Sequence, residues 1–575
     1  MFQKLLSYMG AYKKYAVFAV LCVSAEVAFE LIIPLIMADM VDIGVATGDK
    51  GYILSKGILM LVCALIALVL GIGSAKFSAL AGQGLGAELR KAEYKKIQSF
   101  SFANTDKFRA SSLITRLTSD ITTIQNSFST GLRPACRSPI MMLLALVLSF
   151  SINGKLALVF FIAAPVLGVM LWMIITRVRP LYSKMQGAID LVNRVIQENL
   201  TAIRVVKAYV RGDYEVEKFY GVNQNWKTIS EKAFSIASMN MAAMQLVMYA
   251  TILCILWFGG NLILSNGMQV GELTGFLSYV LQVLNALMMM SNVFLMMTRS
   301  LTSGKRIMEV MEEEITLTDD EAQDIEVERG EIVFDHVSFK YKEDAEEKVL
   351  SDISFSIKAG QTVGIIGQTG SAKSTLVQLI PRLYDATEGQ IYIDGKPIQQ
   401  YPLKHLRDAI AMVLQKNTLF SGTVKENLRW GKEDATDAEI EEACAIACVD
   451  EFIDRLKDGY DTELGQGGVN VSGGQKQRLC IARAILKKPK VLILDDSTSA
   501  VDATTEGKIR EGLAKSLPGT TKILIAQRIT SVLHADQIII LHDGKIDAIG
   551  DHETLLASNE IYQDIYYSQQ EGAGL

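Results

Sequence analysis

Six stretches of this chain stay apolar for longer than a buried helix of a water-soluble domain needs: 15–41, 55–82, 128–152, 156–178, 233–263 and 271–298. A helix of about 20 mostly apolar residues crosses a bilayer, and inside lipid the backbone must satisfy its own hydrogen bonds. Residues 1–305 are therefore expected to form a membrane α-helical bundle of six spans. The first stretch is too long for a signal-peptide core and, with Glu26 and Glu30, too acidic, so it counts as a span. Ahead of it, "FQKLLSYMGAYKK" puts Phe2, Leu5, Leu6, Met9 and Tyr12 on one helical face. That pattern predicts a short helix lying on the inner membrane surface.

Lys and Arg gather after the second and fourth spans, from Arg90 to Arg116 and from Arg177 to Lys218. The opposite connections ("GVATGDKGY", "SINGK", "LSNGMQVG") are short and nearly free of them. The positive-inside bias puts both termini and the two long loops in the cytoplasm, in a multi-pass protein of the plasma (cytoplasmic) membrane. The loops are polar yet helix-periodic, so the spans are expected to run on as helices well beyond the bilayer. Glu26 and Glu30 lie four apart in mid-span and share a helical face. A charge there costs at least a few kcal/mol unless it meets a cavity or a partner. The pair predicts either a substrate cavity for cations or a structural hydrogen bond between helices. The later spans are rich in Met (Met239, Met241, Met244, Met248, Met288, Met289, Met290, Met296, Met297), which suits varied apolar ligands and ordinary packing equally.

Residues 306–330 turn acidic and lose the apolar runs, which marks a linker, and 331–575 alternate strand-like and helix-like segments as an α/β domain does. The net charge of −6 says nothing useful about partners, and with no basic tract no nucleic acid is expected among them. Seven cysteines are scattered through the chain. Cys444 and Cys448 have metal-ligand spacing, but no further His or Cys completes a set nearby, so they are expected to be small buried residues. Free thiols fit a cytosolic half.

In "TVGIIGQTGSAKSTLVQLI" an apolar strand ends at Gly367, a glycine-containing loop follows, and Lys373 and Ser374 open a helix. This is a P-loop, whose backbone N–H groups and helix N-terminus cradle phosphates. Gly367, Gln368, Thr369, Gly370, Ser371, Ala372, Lys373, Ser374 and Thr375 are its residues, with Lys373 directed at the β- and γ-phosphates of ATP and Ser374 at Mg²⁺. Gly usually precedes the Lys, and Ala372 is tolerable there if its backbone avoids positive φ. The strand "KVLILD" ends at Asp495, the position whose carboxylate reaches Mg²⁺. Between the two lies "VSGGQKQRLCIARAI", a second phosphate-binding helix start that makes physical sense if it closes on a nucleotide held by another subunit.

P-loop, "VSGGQ", Asp495 strand and "SAVD" in this order resemble an ATP-binding cassette, and six spans ahead of it resemble a half-transporter of the ABC exporter type. The resemblance covers nearly the whole chain. It implies a dimer with two ATPs sandwiched head to tail between P-loop and signature, acting as an ATPase and translocase when assembled. It further implies that Tyr341 stacks on adenine and that Gln415 joins Mg²⁺ and the attacking water to the membrane half. Ser472, Gly473, Gly474 and Gln475 would cap the partner's ATP. Gln466 in "TELGQGG" stands where Glu is common, and stretches near 105–113 and 208–216 match the coupling helices at the loop tips.

Two positions depart from the family. Asp496 stands where a Glu polarises the attacking water, and its carboxylate stops about 1.5 Å short; misplacement of about 1 Å can cost on the order of 100-fold in rate. Gln527, in "ILIAQRITSV", stands where a His is usual, and an amide cannot become charged near neutral pH. The expectation is a degenerate, slowly hydrolysing ATP site in a heterodimeric exporter, whose partner half-transporter supplies the Glu and the His. Multidrug or lipid-like amphipathic compounds are the expected substrates, with membrane lipid around the spans. The alternatives are a homodimeric exporter, an ATP-gated channel or regulatory subunit, and an importer with exporter fold.

Overall fold

The computed structural model describes residues 2–342 and 345–572, apart from a few helix side chains, that of Met241 among them. The chain forms two compact units, Met1–Gln98 with Ser111–Glu312, and Ser99–Ala110 with Glu313–Leu575.

In the first unit the helices are α1 (Phe2–Ser7), α2 (Lys13–Asp39) and α3 (Lys50–Gln98). After α4 (Phe102–Lys107), which belongs to the other unit, come α5 (Ala110–Thr115), α6 (Ile121–Ile152), α7 (Gly154–Thr201), α8 (Ile203–Ala208), α9 (Gly212–Leu264) and α10 (Val270–Met311). Among the described residues six helices are long and apolar enough to cross a membrane, and each overlaps one of the expected apolar stretches. As the helix-periodic loops predict, α3, α7 and α9 reach 49, 48 and 53 residues, well past the apolar stretches. The stretch 105–113 overlaps the short helices α4 and α5, whereas 208–216 covers the turn after the short helix α8 and the start of α9.

Short polar contacts fix the helix ends. Asn153 accepts from the N–H groups of Lys155 and Leu156 at 3.1 Å each and starts α7. Asp42, just beyond α2, accepts from Gly271 and Glu272 N–H at 2.5 and 3.0 Å, so a carboxylate from one helix caps another. The buried Tyr279 hydroxyl donates to the Leu31 carbonyl at 2.6 Å and pins α10 to α2. Protein covers part of the apolar face of the N-terminal segment. Leu5 and Met9 are 4% and 2% exposed and pack with Leu85, Leu89, Ile121 and Ile307, because α3, α6 and α10 carry apolar rows beyond their spans. Of the methionines, Met244 belongs to the helix core, whereas Met239, Met289, Met290 and Met297 are exposed.

In the second unit the strands are β1 (Ile332–Phe339), β2 (Leu350–Ile357), β3 (Thr362–Ile366), β4 (Glu388–Ile393), β5 (Lys396–Pro397) and β6 (Ile410–Val413). They continue with β7 (Gly422–Thr423), β8 (Glu463–Leu464), β9 (Val491–Asp495), β10 (Thr521–Ile525), β11 (Gln537–His542) and β12 (Lys545–Gly550). One sheet has the order β12-β11-β3-β10-β9-β6 and is parallel except at β12; a second, antiparallel sheet runs β2-β1-β4-β5. Near-continuous apolar runs such as "VLILD", buried along their whole length, are what a parallel strand covered on both faces requires. The site follows from the order. β10 lies between β3 and β9, so the loops leaving their carboxyl ends must converge, the usual place for a ligand in such sheets. Within this unit α4 docks on the α/β fold: Tyr384 Oη donates to Asp106 Oδ2 at 2.6 Å, and Asn104 Nδ2 donates to the Glu314 carbonyl at 2.8 Å.

Cys444 and Cys448 are buried in the core beside the helix Gly473–Leu486, as small residues. The segment entering β1 is held by Asp394, whose two carboxylate oxygens accept from the N–H groups of Glu328, Arg329, Gly330 and Glu331 at 2.8–2.9 Å. Burial pushes this carboxyl up, but the four backbone donors outweigh it and leave it below the ordinary aspartate range. A carboxylate with a depressed folded pKa stabilises above its unfolded pKa, and the contribution is lost as pH falls through the folded value. Asp394→Asn should therefore lower the melting temperature by a constant amount from pH 8 down to about pH 4, the gap closing only below that. Thermal melts across pH check this.

Candidate functional site

The P-loop leaves β3 at Gly367 and turns through Gly370 (φ +90°) into the helix Lys373–Gln378. It lines a cavity of about 540 Å³ together with Gln415, Asp495, Asp496 and Gln527. Lys373 Nζ donates to the Gly367 and Gln368 carbonyls at 2.8 Å each, so the ammonium lies folded across the loop it is expected to serve. Burial pulls it below the ordinary lysine range, against the pull of Asp495 and Asp496. Ser374 Oγ donates to Asp495 Oδ1 at 3.0 Å, which brings the two expected Mg²⁺ ligands together. Burial and the neighbouring Asp496 push Asp495 up, with the Ser374 hydrogen bond working the other way. An ammonium, loop N–H groups and a hydroxyl–carboxylate pair around one cavity fit a nucleoside triphosphate with its Mg²⁺.

One expectation fails here. Ala372 has φ +69°, in the left-handed region, so the condition under which a methyl is harmless is not met. The turn needs positive φ immediately before the helix, and the family's glycine supplies it without strain.

Asp496 and Gln527, the two departures, touch. Gln527 Nε2 donates to Asp496 Oδ2 at 2.7 Å, and Gln415 donates to the same carboxylate. Burial pushes Asp496 up while these two amides draw it back. The Asp496 backbone is pinned: its N–H donates to the Ile525 carbonyl at 3.0 Å, and Asp495 is paired with Ile525 between β9 and β10. Asp496 itself has φ +47°, which a short polar side chain tolerates better than a longer one.

Tyr341 is not part of the cavity wall. Its hydroxyl and Thr375 Oγ1 are 2.9 Å apart, and its ring meets Phe339 and Tyr384 edge-on at 4.9 and 5.3 Å. The signature residues stand apart from the cavity too. Ser472 caps the helix Gly473–Leu486 and exchanges hydrogen bonds with Gln475, and Gln477 holds the "SAVD" loop through Ser499 Oγ at 3.2 Å and Ala500 N–H at 3.0 Å. Gln466 opens a short turn, Gln466–Gly468.

In the membrane unit, Glu26 Oε1 accepts from Arg133 at 2.7 Å and from Arg137 at 2.5 Å, and Glu30 Oε2 accepts from Arg137 at 2.5 Å. The hydrogen-bond reading of the two acids thus holds. The two arginines escaped the sequence reading, although they sit in the third span in "GLRPACRSP" and their placement inside an apolar stretch was itself the signal. The four side chains also line a cavity of about 710 Å³.

The family pattern of the ABC transporter transmembrane region matches residues 16–287, and that of the ABC transporter domain matches 350–499. The chain is 40% identical over 573 residues to a Bacillus subtilis protein named "Uncharacterized ABC transporter ATP-binding protein YfiB", covering 99% of this chain and 98% of that one. A Mycobacterium tuberculosis protein of the same designation, MT1311, is 36% identical across 94% of this chain and 93% of its own length. A second B. subtilis protein, named "Probable multidrug resistance ABC transporter ATP-binding/permease protein YheI", is 36% identical across 81% of this chain and 80% of its own. This chain belongs to the ABC transporter family. It is a multi-pass membrane protein that joins a transmembrane region to an ATP-binding cassette in one polypeptide.

In this ABC transporter, a non-glycine residue held at left-handed φ costs roughly 1–2 kcal/mol. Ala372→Gly should recover part of that, about 0.5–1 kcal/mol after the extra chain entropy of glycine. Purified protein should melt higher by the shift that corresponds to that amount, measured by differential scanning calorimetry.

Proposed function

We propose that this chain is one half of a heterodimeric, ATP-driven exporter of amphipathic compounds, and that its own P-loop forms a site that holds ATP and cleaves it slowly. The hydrogen bond between Gln527 and Asp496 carries the reading. An attacking water needs a carboxylate that reaches it and a neighbour that stabilises developing charge. Asp496 lacks about one C–C bond of reach, on the scale that costs on the order of 100-fold. The hydrogen bond of its N–H to Ile525 and the strand pairing beside it oppose a backbone shift that would make up the distance. Burial lifts the basicity of Asp496, and the amides of Gln415 and Gln527 offset only part of that, so the shortfall is one of reach. Gln527 cannot ionise and spends an N–H on Asp496.

Lys373, the loop N–H groups, Ser374 and Asp495 would hold the triphosphate and Mg²⁺, and the metal would neutralise charge on the phosphates. Tyr341 would receive the adenine beside the loop, and Gln415 would link the γ-phosphate region to the loop tips. Ser472, Gly473, Gly474 and Gln475 face a separate surface and would cap the partner's ATP, so the partner supplies the Glu and His of the fast site. The reading places residues 1–305 in the membrane and 331–575 in the cytoplasm of a plasma-membrane protein, joined by 306–330. Multidrug or lipid-like substrates are supported by the name of the 36%-identical B. subtilis relative and by the exposed methionines of the spans.

Asp496→Glu restores reach but leaves Gln527 in place, and Gln527→His restores an ionisable group beside a short acid. Each alone should raise ATP turnover at this site less than about tenfold, and the double variant by about 100-fold. Steady-state ATPase assays of the assembled transporter, with the partner's site disabled, measure this. A double variant no faster than the parent contradicts the proposal.

A further inference from the structure

The cavity beside Glu26 was expected to attract cations if it bound substrate, and its charges say otherwise. Glu26 and Glu30 from α2 meet Arg133 and Arg137 from α6, so the cluster carries no formal net charge. Its members differ in exposure. The side chains of Glu26 and Arg137 are 7% and 19% exposed and bind each other. Those of Arg133 and Glu30 are each 36% exposed at the cavity wall. Arg133 makes one hydrogen bond among the described residues out of five N–H donors, and its Nε is buried without a partner. Glu26 Oε2 is likewise buried and unpartnered. Gly71 of α3 makes the arrangement possible: a Cβ there would stand 3.2 Å from both Arg133 and Glu26. Leu68, Ile72 and Met289 make the remaining wall apolar.

We propose that this cavity selects zwitterionic amphiphiles, an anionic group pairing with Arg133 and an ammonium with Glu30, while an apolar tail lies along α3. A lone cation would face Arg133 and a lone anion Glu30, each a like charge in a low-dielectric wall. A ligand carrying both leaves neither uncompensated. The volume of about 710 Å³ suits a head group with part of a chain. The inference deepens the exporter reading by naming its substrate class, and rests on it for transport but not for binding.

The test uses the full chain in nanodiscs and three probes with one twelve-carbon tail: dodecylammonium, dodecyl phosphate and dodecylphosphoethanolamine. Binding of the zwitterion should be about tenfold tighter than of either probe whose head group carries charge of one sign, the scale of one charge-assisted hydrogen bond. Arg133→Gln should erase the advantage over dodecylammonium, Glu30→Gln the advantage over dodecyl phosphate, and Arg133→Lys should keep both. If Arg133→Gln fails to fold, Met289→Arg, which adds a cation to the wall without touching the ion pairs, should shift preference toward dodecyl phosphate. Nanodiscs of phosphatidylethanolamine that compete with the soluble zwitterion would identify a lipid head group as the source; absence of competition would identify a soluble amphiphile, and both support the rule. Equal affinity for the three probes, or a preference for dodecylammonium that Arg133→Gln leaves unchanged, would overturn it. Binding needs no ATP, so an intact head-group order without ATP-driven flux would overturn the exporter reading alone.

Discussion

The hydrogen bond from Gln527 Nε2 to Asp496 Oδ2 joins the ends of two neighbouring strands, and the proposed behaviour of the nucleotide site hangs on it. β9 and β10 are adjacent in the sheet, with Asp495 opposite Ile525, so whatever follows those residues is forced together. A glutamate and a histidine in these places would form an acid–base pair over the γ-phosphate. An aspartate and a glutamine form an uncharged-donor hydrogen bond instead: the amide occupies one carboxylate oxygen and the short side chain keeps the other back. The phosphate-holding parts, Lys373, Ser374 and Asp495, are set by β3 and β9 and do not depend on that contact. Holding and cutting are therefore separable in this fold, and the proposed chain keeps the first while giving up much of the second.

A comparable balance governs the membrane unit. Four charged side chains in apolar helices would each cost several kcal/mol alone in lipid. Paired as two acids and two arginines they tie α2 to α6, and Gly71 lets α3 close over them. Such clusters give geometry more than net stability, since desolvation offsets much of the attraction. Leaving Arg133 and Glu30 partly exposed turns a structural device into a surface that discriminates between head groups.

Much of this was legible in the sequence because the governing rules are local. Apolar stretches beyond the bilayer length mark the spans, and a strand ending in a glycine loop before Lys373 and Ser374 marks the phosphate cradle. Long-range facts were not legible. Arg133 and Arg137 lie about 100 positions from their partners and are interrupted by Pro134, so nothing in the local pattern ties them to Glu26 and Glu30. Periodicity found the apolar face of the N-terminal segment but could not say whether lipid or protein covers it; α3, α6 and α10 supply the cover. The φ of Ala372 could not be read from an alanine, because the loop imposes the conformation and the residue tolerates it. Likewise, Asp496 and Gln527 stood out as separate departures, and their mutual hydrogen bond needed the strand order.

Site-resolved single-turnover cleavage of γ-labelled ATP in the assembled dimer probes the account most directly, with each site followed while the other is disabled. The account predicts that this chain's P-loop retains bound ATP and cleaves it about 100-fold more slowly than the partner's site. Equal cleavage rates at the two sites would contradict it.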